Sequence, residues 1–204
     1  MLVSELNKLL NTNYKIISNG DSIEIFHTSY GNIEQEMYIK CKKSALGWNI
    51  YISVRGNNCE IGTFIDEEYI VCILYVLCVK NFEGIKEDNN LKRRLRACDG
   101  ENAVVEATEI IKSKCEIKYF SLDSRKKDAI CMENTNGLYN VFYLSEDNSR
   151  VNIVSDSTFN RALTVVYSYS ILLKEFKKVY TQLLMIYPIC KNYYNKLLRV
   201  YFNK

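Results

Sequence analysis

Trp48-Asn49-Ile50-Tyr51-Ile52 and Tyr139-Asn140-Val141-Phe142-Tyr143 run through the same residue types in the same order: aromatic, asparagine, β-branched, aromatic, large. Alternation of this kind reads as a strand with one buried face. A polar turn follows each stretch, Arg55-Gly56-Asn57-Asn58 in the first and Ser145 to Arg150 in the second. A second short β-branched run comes next, Glu60 to Ile65 or Val151 to Val154. Two hairpins are therefore predicted. Each leads to a helix start, Asp66 with Glu67 and Glu68 in one case and Asp156 with Ser157 and Thr158 in the other, whose side chains can accept from first-turn amides.

The likeness extends upstream, where Leu6 to Ile16 and Ala107 to Ile117 both read as a helix running into a strand. These two are spaced about ten residues further apart than the hairpins, as an insertion in one copy of a repeat would make them. The excess falls in the first copy, between Ser29 and Lys43. The expected fold is α+β, with two tandem helix–antiparallel sheet–helix repeats of three or four strands each and an extended helical C-terminus. The first repeat is expected over residues 1–85. A connecting segment is expected over 86–100, because Asn89-Asn90 and Asp99-Gly100 interrupt the pattern, and the second repeat with the C-terminal helices over 101–204.

Near the C-terminus, Phe159, Ala162, Val166, Tyr169, Leu173, Phe176 and Tyr180 form one helical stripe that needs a surface to pack on. Pro188 should end that helix. Lys191 to Phe202 then forms a final helix that closes the core of its own chain or, as the alternative, pairs two chains in a homodimer. The longest apolar run, Tyr69 to Val79, falls well short of the roughly 20 residues a membrane span needs, so a buried core helix and no membrane partner are expected. The N-terminus lacks a basic segment followed by an apolar run, so no signal peptide is expected and the chain is placed in the cytoplasm. The eight cysteines include no Cys-x-x-Cys pair, and several lie in apolar runs, which points to reduced, buried side chains.

The chain has one histidine, His27, and no Gly-x-Gly-x-x-Gly, Gly-x-x-x-x-Gly-Lys-Ser/Thr or Gly-x-Ser-x-Gly motif. No catalytic residue, cofactor or metal is expected, and the chain is read as no enzyme. The pairs Glu34/Glu36 and Glu67/Glu68 are of a kind that occurs by chance among twenty-four acidic residues. Residues 1–90 hold 8 Lys/Arg against 12 Asp/Glu and residues 91–204 hold 19 against 12, net −4 and +7. The basic half, with Lys92, Arg93, Arg94 and Arg96, offers nucleic-acid binding as a lesser reading.

Over Trp48 to Phe82 the sequence resembles immunity proteins of bacterial polymorphic toxin systems, of the small α+β type from low-GC Gram-positive bacteria. The residues that carry the resemblance are Trp48, Ile50, Tyr51, Arg55, Gly56, Phe64, Glu67, Glu68 and Cys72. Val54 stands where that pattern usually has an acidic residue, and Val71 where it often has alanine. The resemblance implies an antitoxin that binds and blocks a co-encoded toxin in bacterial competition, by protein–protein interaction and without catalysis. The alternative is another protein-interaction module, or the nucleic-acid reading above. The partner-binding residues are expected where the first repeat departs from the duplicated core: Tyr30, Asn32, Glu34 and Glu36 in the excess segment, and Arg55, Asn57, Asn58 and Glu60 in and after the hairpin turn. The acidic members of this set would oppose a cationic toxin cleft.

Overall fold

In chain order the elements are α1 (Leu2–Leu9), β1 (Tyr14–Ser18), β2 (Ser22–Ser29), β3 (Asn32–Ser44), β4 (Gly47–Val54), β5 (Asn57–Phe64), α2 (Glu67–Phe82), α3 (Asn89–Ala97) and α4 (Ala103–Lys112). A 3₁₀ turn (Ile117–Tyr119) precedes β6 (Phe120–Ser121), β7 (Ala129–Thr135), β8 (Leu138–Leu144), β9 (Arg150–Ser157) and α5 (Phe159–Ile186). A second 3₁₀ segment (Pro188–Tyr193) leads into α6 (Tyr194–Phe202). These come from a computed structural model that describes residues 2–85 and 87–204. The fold is mixed α+β with two sheets, divided into two compact units.

The first unit comprises residues 1–84 and 179–203. Its five strands pair in sequence order, each antiparallel to the next. One sheet face carries Ile23, Ile25, Ile39, Cys41 and Ile50, all buried, because alternate residues of a strand share a face. Every residue of α2 from Ile70 to Cys78 is buried, so this helix has no solvent side and must be covered all round. It touches β3, β5, α1 and α6. Helix α1 contributes Leu2, Leu6 and Leu9, and α6 contributes Leu197, Leu198, Tyr201 and Phe202. Full burial of a side chain such as Leu or Phe stabilises by about 1.5–3 kcal/mol, so α6 is integral to this core.

The second unit comprises residues 85–178 and Lys204. Strands β7, β8 and β9 form an antiparallel meander, and β6 pairs parallel with β7. Ala129, Ile130, Cys131, Met132, Val141, Phe142 and Tyr143 are buried within it. Helices α3 and α4 pack on each other. Helix α5 belongs to this unit as far as Lys178 and to the first from Val179 onward. Among the described residues no helix is long and apolar enough to cross a membrane.

Several expectations are corrected in detail. The first sheet has five strands, and the second is mixed, because α4 and the turn after it absorb the predicted strand: the amides of Ser113 and Cys115 bond back to α4 carbonyls. Ile117 lies in the 3₁₀ turn, and only Phe120 and Ser121 remain to pair. Residues 86–100 contain α3, since the Asp88 carboxylate accepts from the amides of Asn90 and Leu91 at 3.0 and 3.2 Å. Asn89-Asn90, read as a break, is the first turn behind that cap, and Leu91 and Leu95 bury one face. The C-terminal segment from Val179 to Asn203 joins the first unit, because α2 needs cover on every side. Asp156 does not start a helix. It lies in β9 at φ 51°, where Asn140 Oδ1 accepts from its amide at 3.1 Å, and α5 begins at Phe159.

Candidate functional site

Two tight turns lie at one end of the five-stranded sheet, because β3 and β4 are antiparallel and Met37 pairs with Val54. Tyr30-Gly31 joins β2 to β3 with φ 50° and 79°, and Arg55-Gly56 joins β4 to β5 with φ 50° and 82°. Paired positive φ values match the right-handed twist of the flanking strands, and this geometry favours Asn-Gly or Gly-Gly. Tyr30 and Arg55 instead carry full side chains in the left-handed region, at about 1–2 kcal/mol each. Tyr30 is completely exposed, at 101%. Its ring therefore makes no packing contribution that would offset the strain.

Behind the turns, β3 continues past the last residue of β4, so Asn32 to Glu36 form an exposed arm in which only Asn32 and Ile33 pair, with Ser29 and Thr28 of β2. The β2–β3 register jumps from Phe26↔Tyr38 to Thr28↔Ile33, which leaves Glu34 to Met37 opposite His27 alone. Two contacts hold this irregular stretch. His27 Nδ1 lies 2.9 Å from Glu34 Oε2, and the Arg55 amide donates to the Glu36 carbonyl at 2.7 Å with its guanidinium 3.4 Å from the Glu36 carboxylate. Glu34 and Glu36 share one strand face by spacing, and each has its own partner.

His27 lies on the same face as Ile25, as alternation predicts, and stacks on Phe82 of α2 with ring centroids 5.7 Å apart. Tyr14 meets it edge-on at 5.9 Å and donates its hydroxyl to Glu83 at 2.5 Å. Burial first, and then that carboxylate, raises the Tyr14 phenol well above its ordinary value. It is a hydrogen-bond donor and no acid–base group at neutral pH.

Asn57, Asn58 and Glu60 lie on β5, at the edge of the sheet, and all three are exposed. Among the proposed site residues, the structure joins Arg55 to Glu36 directly and ties Glu34 to His27. Tyr30 and Asn32 both lie at the tip of the arm, in and just after its turn. His27 is the supporting residue that the sequence left ambiguous. Its contact with Glu34 depends on the register jump, which no spacing rule predicts.

A second concentration of polar groups lies in the other unit. A cleft of about 310 Å³ is lined by Leu122, Asp123, Ser124, Arg125, Met132 and Glu133, among others. Arg125 donates to Glu133 Oε1 from two nitrogens, at 3.1 and 2.6 Å, and Arg150 to Oε2 at 3.2 Å. The two arginines hold the Glu133 carboxyl below its usual range and share it as their counter-charge. All eight cysteines are free thiols and seven are buried, Cys59 being exposed. Burial pushes Cys41 up to about 12 and Cys115 up to about 11, far from the thiolate a nucleophile requires. Among the described residues no three His, Cys, Asp or Glu side chains group as metal ligands. Comparison with protein-family models, curated proteins and solved structures yields no match to this chain.

Proposed function

We propose that this chain is an immunity protein, a cytoplasmic antitoxin that binds a co-encoded toxin and blocks it without catalysis. The observation that carries the reading is Tyr30: a fully exposed aromatic in a left-handed turn, selected neither by packing nor by backbone preference. Tyrosine supplies large contact area at low entropy cost and is enriched among interface anchors. Around it stand Asn32, Glu34, Glu36, Arg55, Asn57, Asn58 and Glu60, a polar rim held by the Arg55–Glu36 and His27–Glu34 contacts. The class of partner comes from the resemblance at Trp48 to Phe82, and the carboxylates suit a toxin with a cationic cleft. The same reading takes the two units as copies of one plan, since a hairpin leads into a helix in both, β4–β5–α2 and β8–β9–α5.

The test is to express the chain together with the toxin domain encoded beside it. Rescue of growth and a 1:1 complex are expected. Failure of rescue, with no stoichiometric protein partner, overturns the reading. A second reading rests on α3, where Arg93, Arg94 and Arg96 are exposed and have no ion-pair partner among the described residues. Nucleic-acid retention that falls steeply with salt and is lost on replacing these arginines would favour it.

A further inference from the structure

We propose that β5 is a docking edge on which a protein partner lays an extended basic segment as a sixth strand. This names the recognition mode of the partner binding proposed above and rests on that reading for the existence of a protein partner.

Four strands lie at sheet edges, and three of them are short or blunted. Strand β6 has two residues. Along β9, Lys204 Nζ donates to the Ile153 carbonyl at 2.9 Å, and the left-handed Asp156 bends the strand. Strand β1 pairs regularly over all five of its residues and is blunted by Lys15 alone. Edge lysines, short length and bends are how proteins discourage strand addition. Strand β5 has eight residues, with no lysine, arginine or proline, and Asn57 to Glu60 are exposed.

The two-residue turn makes Val54↔Asn57 the hydrogen-bonded pair of the hairpin. Bonded and non-bonded pairs then alternate, so Asn57 and Cys59 bond to β4 while the amides and carbonyls of Asn58 and Glu60 point away from it. The regular run ends at Ile61, which the register skips between Tyr51↔Glu60 and Ile50↔Gly62. A partner strand therefore has the stretch Asn57 to Glu60 to bond. The charge of its side chains follows from Glu60, the one charged residue of β5, which is exposed and lies on the stretch to be bonded. Glu60 has no ion-pair partner among the described residues. A second copy of β5 would bring only further carboxylate to this edge, and like charges across a strand pair repel. A basic segment of another protein is the occupant that fits.

The probe is the hexapeptide Lys-Val-Lys-Val-Lys-Val, titrated to millimolar concentration into the full chain and followed by amide NMR. Shifts and slowed hydrogen exchange at Asn58 and Glu60 are expected. They should vanish in Asn58→Pro, which removes one outward N–H, and weaken roughly two- to fivefold in Glu60→Lys. A peptide N-methylated at alternate residues supplies the same test on unmodified protein, should Asn58→Pro not fold. No response at β5, equal binding of Glu-Val-Glu-Val-Glu-Val, or unchanged binding of the N-methylated peptide overturns the proposal. So does a concentration-dependent dimer that Asn58→Pro dissociates, which would assign the edge to a second copy. If the neighbouring toxin is neutralised equally well by Asn58→Pro, this inference fails and the immunity reading stands. If the peptide docks but no toxin is neutralised, the immunity reading fails.

Discussion

The Asp66 carboxylate accepts from the Tyr69 amide at 3.1 Å and from the Tyr193 hydroxyl at 2.7 Å, so one side chain both caps α2 and fastens the segment that leads into α6. The Tyr193 bond is the main reason the Asp66 carboxyl lies below its ordinary value. A depressed carboxyl contributes stability above its unfolded pKa and loses it as pH falls through the folded one. Asp66→Ala is expected to cost about 1–2 kcal/mol at pH 7, and Tyr193→Phe about 1 kcal/mol or less because the cap remains. Urea unfolding at pH 7 and at acid pH checks both: the gap between wild type and Asp66→Ala should narrow on acidification.

Lys80 tests the same linkage in the alkaline range. Its ammonium donates to Asn203 Oδ1 at 2.8 Å and lies 5.5 Å from the centre of the Tyr201 ring, and burial lowers it from 10.5 to about 8. Below pH 8 the fold carries the cost of that buried charge, and between pH 8 and 10.5 the unfolded chain binds the extra proton, so this residue makes stability rise with pH. Lys80→Met is expected to stabilise by about 1–2 kcal/mol at pH 7 and to show little gain at pH 10. An equal gain at both values would contradict the assignment.

Tyr30 separates folding from binding. Tyr30→Asn places a residue suited to the left-handed turn where a fully exposed ring stood, and should raise stability by about 0.5–1 kcal/mol. If the ring anchors a partner, affinity should fall roughly tenfold or more in the same variant. Thermal unfolding and calorimetric titration of the partner read the two effects independently.

The double variant Glu34→Lys, Glu36→Lys reverses two exposed carboxylates. Each loses a solvent-exposed pair, so the change in stability should stay below roughly 1 kcal/mol. Binding to a partner with a cationic surface should weaken strongly and lose its salt dependence. Unchanged affinity would remove the arm from the interface.

Thiol accessibility gives the simplest check of the core. Under native conditions one cysteine, Cys59, should react rapidly with a thiol reagent, and the other seven should react only on unfolding. Rapid labelling of several thiols would contradict the burial of Cys41, Cys72, Cys78 and their fellows.

Local pattern determined much of this protein. Alternation in Trp48 to Val54 and Ile23 to Ile25 marks strands with one buried face, and Arg55-Gly56 marks a hairpin. The unbroken apolar run from Ile70 to Val79 marks a helix that must be enclosed. These properties belong to adjacent residues, so the sequence alone carries them. The tertiary structure decided what depends on residues far apart. The cover for α2 comes from α6, over a hundred positions away, because any apolar stripe of the right width can enclose a helix and periodicity does not name its partner. The Asp88 cap converted an apparent break at Asn89-Asn90 into a helix start. The register jump at His27, and with it the contact to Glu34, arises only when β2 and β3 pair while β4 ends at Val54. Sheet pairing allots each strand its neighbours, and so it also decides which edge, that of β5, is left without one.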